Sequence, residues 1–360
     1  MTKELQKVID AFSFDGPIDH LKPFGGGHIN DTLLLTTAKG TQYILQKINT
    51  TVFTKPDELM QNIFSVTEYL KKRLVECGGS PNRETLTFIQ TRDGQNYYNG
   101  EGGAWRAYRF QNGLMALNAA RTPKDFYESG KAFGKFQALL KDYPTETLFE
   151  TIPHFHDTPA RMQQLQQAVE KDLAGRVSSV KEEIAFVLDR AASTHIIMDL
   201  QAEGVLPIRV THNDTKLNNV LLDPETGEGV CVIDLDTVMP GQAIFDFGDA
   251  IRFGASTAAE DEADLSKVEL SLELFDAFTQ GYLEGCNGAL IPAEKDLMPT
   301  GAWMMTLENG SRFLADYLNG DVYYKTAYPE HNLVCARNQF KLVREMEEKQ
   351  DQMQAIVAKY

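Results

Sequence analysis

The sequence predicts a two-lobed α+β fold, with a small antiparallel β-sheet lobe over residues 1–110 and a large, mostly helical lobe over residues 111–360. Three observations predict it. Short β-branched and aromatic runs crowd the first 110 residues, long amphipathic segments fill the rest, and one group of short apolar runs interrupts those helices between 208 and 236. In order, TLLLTT at 32–37, TQYILQKI at 41–48, TLTFIQ at 85–90 and WRAYRF at 105–110 read as antiparallel strands. Between the second and third, Pro56 to Glu76 reads as a helix, with Leu59, Ile63, Val66, Leu70 and Leu74 at three- and four-residue spacings. Proline opens it and Gly78-Gly79 follows its end.

The second lobe offers helical segments at 123–141, 157–173, 179–200, 266–284, 292–318 and 335–358. The interruption consists of IRVTHND at 208–214, NNVLLD at 218–223 and GVCVIDLD at 229–236, the last two joined by a PETGE turn. A small hairpin is therefore expected inside the helical lobe. The acidic AAEDEAD at 258–264 reads as a solvated loop.

Lysine and arginine number 35 against 51 aspartates and glutamates, a formal charge of −16, and no basic stripe invites a nucleic acid. No stretch approaches the roughly 20 apolar residues of a membrane span, and the opening MTKELQKVIDAFSFDG reads as neither signal peptide nor anchor. Cys77, Cys231, Cys286 and Cys335 form no CxxC and read as reduced core thiols, which points to the cytoplasm.

The densest polar cluster is THNDTKLNNVLLD at 211–223, with His212, Asp214 and Asn219 in the pattern H-x-D-x-x-x-x-N. That is the spacing of a kinase catalytic loop, in which the aspartate receives or orients the attacking hydroxyl and the asparagine holds magnesium. Lys216 stands where it could neutralise charge on a γ-phosphate. The competing reading is a polar turn between two strands.

Asp234, 15 residues after Asn219, ends the apolar run VCVID, the place for a magnesium-binding carboxylate. Asp236 is a second metal contact or faces the substrate. A literal Asp-Phe-Gly at Asp246, Phe247 and Gly248 comes 27 residues after Asn219 and follows no hairpin strand. Asp246 and Asp249 are expected instead to cap the helix FGDAIRFG and brace the catalytic loop from behind.

In PFGGGHINDTLLL at 23–35, Gly25, Gly26 and Gly27, with His28 after them, form a turn whose amides could approach phosphates, or a plain hairpin turn. On the strand YILQKI the cation of the V-A-I-K pattern falls at Gln46, while Lys47 should point to the opposite face. Glu68, or Glu58, is the candidate helix partner.

Taken together the chain resembles the aminoglycoside phosphotransferase and choline kinase superfamily, small-molecule kinases with a protein-kinase-like fold, over nearly its full length. GGGHINDT at 25–32, YILQKINTTVF at 43–53, HNDTKLNNVL at 212–221 and IDLDTVMPG at 233–241 are similar to the N-acetylhexosamine 1-kinases. The resemblance implies transfer of the γ-phosphate of ATP, with Mg²⁺, to the anomeric hydroxyl of an N-acetylhexosamine. It implies Asp214 as base, Lys216 beside it, Asn219 and Asp234 as metal ligands, and a nucleotide site of Gly25, Gly26, Gly27, His28, Gln46 or Lys47, and Glu68. For the sugar the similar segment is ENGSRFLADYLNGDVYYK at 308–325, where Arg312 and Tyr323 are the candidate hydroxyl contacts. Gln46 departs from the superfamily's lysine, so Lys47 or another cation must take its role. Other acceptors of the same fold, an aminoglycoside, choline or an amino alcohol, and a non-catalytic nucleotide-binding scaffold remain competing readings.

Overall fold

The computed structural model describes residues 2–25 and 30–360, so Gly26, Gly27 and His28 lie outside the described residues. The chain folds as two compact units. The first holds Met1–Ala116, Asp142–Pro153 and Leu221–Pro240, and the second holds Leu117–Lys141, His154–Val220 and Gly241–Tyr360. The fold class is the expected one, mixed α+β with a small antiparallel sheet and a larger helical part.

The first unit contains α1 (Lys3–Ala11), β1 (Ile18–Pro23), β2 (Asp31–Thr37), β3 (Gln42–Lys47), α2 (Pro56–Glu76), α3 (Pro81–Glu84), β4 (Phe88–Ile89), β5 (Tyr98–Gly100) and β6 (Gly103–Arg109). Its sheet runs β1-β2-β3-β6-β4, with β5 paired to β6. Strand alternation divides the residues of β3 and β6 between two faces. Tyr43, Leu45, Trp105 and Ala107 pack with Val8 and Ile9 of α1 and with Phe12 just after it. Ile44, Gln46, Arg106 and Tyr108 take the other face, with Gln46 directly opposite Arg106. α1 is not evident in the sequence pattern, and the expected strand at 85–90 shrinks to β4. Cys77 is exposed at the end of α2, against the expectation of a core thiol; Cys231, Cys286 and Cys335 are buried and all four are free.

Next come α4 (Pro123–Leu140), α5 (Thr158–Lys171), α6 (Lys181–Leu188), α7 (Ile196–Ala202), β7 (Arg209–Thr211), β8 (Val220–Leu222), β9 (Gly229–Val232) and β10 (Met239–Gly241). They are followed by α8 (Ala243–Gly254), α9 (Leu272–Cys286), α10 (Pro292–Asp296), α11 (Met298–Asn319), α12 (His331–Glu348) and α13 (Gln350–Val357). The expected hairpin is β8-β9, but from Leu221 onward it groups with the first unit instead of with the helices. The single helix expected at 179–200 is two, because the chain turns at Asp189 and Arg190 before α7.

Two crossings in the second unit are set by glycine. Gly130 and Gly134 of α4 face Gly281 and Gly285 of α9 so closely that a Cβ on any of them would strike backbone of the opposite helix. Gly248 of α8 and Gly301 of α11 meet in the same way. Helix axes ordinarily lie about 8–10 Å apart, and only a missing side chain permits backbone to approach backbone. Phe247, fully buried, fills the space behind with Phe275, Phe278 and Tyr282. Among the described residues no helix is long and apolar enough to cross a membrane.

Candidate active site

In the second unit the segment 211–219 is held from α8 at three backbone amides. Asp246 of α8 accepts from the amides of His212 at 2.9 Å and Asn213 at 2.7 Å, and Asp249 accepts from the amide of Thr215 at 3.0 Å. Gln137 of α4 donates to Asp246 at 2.9 Å, and the Thr215 hydroxyl donates to the Asp246 carbonyl at 2.5 Å. The Asp-Phe-Gly at 246–248 is thereby explained: a brace, a core ring and a close crossing. One expectation is corrected, since α8 begins at Ala243 and Asp246 lies within its first turn, facing the loop instead of capping its own helix. Burial pushes the Asp246 carboxyl up, against the pull of His212 and the donated bonds. Burial acts on Asp249 likewise, but Arg252 and Lys216 outweigh it and hold the carboxyl below its ordinary value.

The braced loop carries Asn213 in the left-handed region, φ 64°. His212 is fully buried, edge-on to Phe133 and Phe136 of α4, and its Nδ1 accepts the Asp214 amide at 3.3 Å. The side chain of Asp214 is thus presented by a fixed backbone. Its Oδ1 pairs with Lys216 Nζ at 2.8 Å, and Asn219 Nδ2 donates to the Asp214 carbonyl at 2.8 Å and to its Oδ2 at 3.2 Å. Burial lowers the affinity of Lys216 for its proton, but Asp214 and Asp249 outweigh it, so its pKa is raised and the charge persists. Three of the expected residues, Asp214, Lys216 and Asn219, therefore stand together.

Behind the loop is a group the sequence did not announce. His156 places Nε2 at 3.1 Å from the Asn213 carbonyl and Nδ1 at 2.9 Å from Oε1 of Glu308 on α11, whose Oε2 accepts from Thr158 at 2.7 Å. A carbonyl and an ionised carboxylate can only accept, so the ring serves both only when doubly protonated. Burial opposes that charge, but Glu308 outweighs it and raises the His156 pKa; Glu308, pushed up by burial, is pulled below its ordinary value by His156. Asp249 and Arg312 are the other charges felt by the ring. A raised folded pKa means the stabilisation is complete below the unfolded value of about 6.5 and lost as pH rises through the folded pKa. The melting temperature of the parent should accordingly fall toward that of His156→Gln as pH rises from 6 to 9. Parallel profiles in thermal denaturation would rule the imidazolium out.

One helical turn beyond Glu308, Arg312 lies over Phe155 at 5.5 Å, Tyr324 at 5.9 Å and Tyr323 at 6.0 Å. Among the described residues its guanidinium makes these ring contacts and no hydrogen bond, and the buried Tyr324 hydroxyl has no partner. Asp316 holds the segment by accepting from the amides of Val322, Tyr323 and Tyr324 at 2.9–3.0 Å. Arg161 bonds the Phe155 carbonyl at 2.9 Å and, among the described residues, forms no ion pair. Arg312 depresses its pKa further after burial. The carboxylates of this face are already engaged, Glu308 by His156, and Asp249 and Glu260 by Arg252. Glu260 belongs to the acidic 258–264 segment, which is the expected loop with no buried residue, anchored by Arg252 on Glu260 and by Asn338 on the Ala259 carbonyl.

In the first unit, Asp234 follows β9 in a left-handed conformation, φ 59°, which turns the chain sharply after the strand. Asp236 pairs with the buried Arg106 of β6 and accepts from Asn30 at 2.6 Å. Gln46 Oε1 accepts from Arg106 at 3.0 and 2.8 Å, and Gln46 Nε2 donates to Thr32 at 3.1 Å. Lys47 points to the opposite face, 5.9 Å from the centre of the Trp105 ring. Glu68 pairs with Lys71 of its own helix at 2.7 Å and Glu58 with Lys55 at 2.8 Å, so the expected pairing of either with a strand cation is not formed. Asn62, buried on α2, is bonded to both backbone groups of Phe149 and to the Val238 carbonyl. Gly25, φ 75°, has open space at its Cα.

The class of protein is given by the family comparison. The chain belongs to the phosphotransferase enzyme family, whose model matches residues 20–281. Solved structures share its fold. An aminoglycoside phosphotransferase from Alicyclobacillus acidocaldarius superposes with a TM-score of 0.63 at 14% identity, covering 98% of this chain and 95% of that one. A spectinomycin phosphotransferase in complex with ADP and spectinomycin gives 0.62 at 14% identity, covering 97% and 99%. An amicoumacin kinase in complex with AMP-PNP and Ca²⁺ gives 0.61 at 16% identity, covering 96% and 92%.

Proposed function

We propose that this phosphotransferase moves the γ-phosphate of ATP to the anomeric hydroxyl of an N-acetylhexosamine. Asp214 is the base, Lys216 holds its charge and steadies the transferring phosphoryl group, and Arg312 and Tyr323 contact sugar hydroxyls. The observation that carries the choice of acceptor is that Arg312 and Arg161, set among aromatic rings, form no ion pair among the described residues. A neutral sugar with hydroxyl and acetamido acceptors satisfies guanidinium donors, and its apolar ring face packs on Phe155 and Tyr323. A cationic acceptor such as choline or an aminoglycoside would instead need free carboxylate there, and each carboxylate of that face is paired.

Asn219 in the second unit and Asp234 in the first each offer a hard oxygen donor, as Mg²⁺ prefers, and among the described residues no group of three or more His, Cys, Asp or Glu could cage a metal. That fits an ion held by one or two protein ligands together with phosphates. Bound there, Mg²⁺ would neutralise charge on the β- and γ-phosphates. AMP-PNP with Ca²⁺ in the amicoumacin kinase, and ADP in the spectinomycin phosphotransferase, support a nucleotide and divalent-ion chemistry of this kind. The reduced cysteines suit a cytoplasmic setting.

An anomeric hydroxyl is more acidic than an ordinary alcohol, so one carboxylate suffices to receive its proton. Incubation with Mg²⁺, ATP and N-acetylglucosamine or N-acetylgalactosamine should yield a product whose phosphorus NMR signal couples to the anomeric proton. Coupling to the C6 protons, or turnover of choline or an aminoglycoside with neither sugar used, would overturn the assignment.

A further inference from the structure

At the strand position where kinases of this architecture carry a nucleotide-clamping lysine stands Gln46, which has no charge. The side chain opposite it is a cation. Arg106, 3% exposed, sits across the β3-β6 pair from Gln46, gives Gln46 Oε1 two hydrogen bonds and pairs with Asp236. Asp234 also acts on its charge. An unpaired buried guanidinium would be expensive, several kcal/mol even after relaxation, so this placement is a built arrangement. The arithmetic of charge gives it a purpose. Asp234 and Asp236 together would present two negative charges to a polyphosphate, and Arg106 cancels one of them.

Lys47, the only cation the strand itself offers, is excluded by its face over Trp105. Gln46 is then no defect. It orients the fork of an arginine supplied by the neighbouring strand, with Thr32 holding its amide. Asn30 joins the same network through Asp236 and the Asn49 amide.

We infer that Arg106 is the cation of the nucleotide site, a positioning residue that holds Asp236 and Asn30 and sets the field in which a nucleoside polyphosphate binds. The inference rests on the phosphotransferase reading of Asp234 and extends it to a residue outside every motif. Its test uses binding of the fluorescent nucleotide mant-ADP with Mg²⁺, without any sugar, to the full chain. Arg106→Gln should weaken binding by at least about tenfold, as loss of a charged partner worth ~1.4 kcal/mol or more requires. Moving the charge back, Gln46→Lys with Arg106→Gln, should restore binding to within about threefold and leave the KM for ATP closer to the parent than kcat, since Asp236 loses its forked partner. Arg106→Gln that stays folded and binds at parent affinity overturns the inference. So does a double variant that recovers neither folding nor binding. A parent protein that does not bind mant-ADP at all fails the nucleotide reading itself, which is a different result.

Discussion

Asp214→Asn should reduce phosphoryl transfer by about 10³-fold while leaving Mg²⁺-nucleotide binding within a small factor of the parent, because general-base catalysis contributes typically 10²–10⁴-fold. The asparagine keeps the shape of the carboxylate, and the loop that carries it is held from outside by Asp246 and Asp249 on the amides of residues 212, 213 and 215. The amide cannot receive a proton and no longer attracts Lys216, whose bond at 2.8 Å is replaced by a weaker one. Single-turnover kinetics beside nucleotide titration separate the two effects. Survival of turnover within about tenfold, less than ~1.4 kcal/mol, would remove Asp214 as the base.

Asp234→Ala and Asp246→Ala should fail in opposite ways. With Asp234 as the proposed metal ligand in the turn after β9, its loss should abolish activity at ordinary Mg²⁺, with partial return only at high Mg²⁺ and the melting temperature little changed. Loss of Asp246 strips the His212 and Asn213 amides and Gln137 of their acceptor inside a closed core. Each buried donor left unsatisfied costs about 1–3 kcal/mol, so that variant should melt far lower or fail to accumulate. Thermal melts and Mg²⁺ titrations of both settle the matter. If Asp246→Ala folds normally and loses Mg²⁺-dependent nucleotide binding while Asp234→Ala keeps it, the metal belongs to the Asp-Phe-Gly.

The parts of the site that the sequence discloses are those whose geometry is local. His212, Asp214, Lys216 and Asn219 fall within eight residues, and a single turn suffices to bring them together, so spacing alone speaks for them. Asp234 is legible because an apolar strand leads to it. Arg106 is not, since its meaning comes from the register that sets it opposite Gln46, 60 residues away. His156 and Glu308 are 152 residues apart and joined only by the packing that brings α11 behind the loop. Period alone extended helices through 179–200 and across the α10-α11 junction, because a turn that preserves the apolar stripe leaves no mark in it. The N-terminal α1 escaped notice for want of length, although its Val8 and Ile9 are buried.

The four glycines where α4 crosses α9 bear on how this enzyme can be altered. α4 carries Phe133 and Phe136 against His212 and Gln137 against Asp246, so the depth of that crossing sets how far forward the catalytic loop stands. A methyl at Gly134 or Gly281 would strike the opposite helix and lift the whole wall behind Asp214. Libraries seeking new acceptor specificity would therefore lose much of their yield at positions remote from the ligand. Diversity is better spent around Tyr323, which is 62% exposed and bears on Arg312 without supporting the loop.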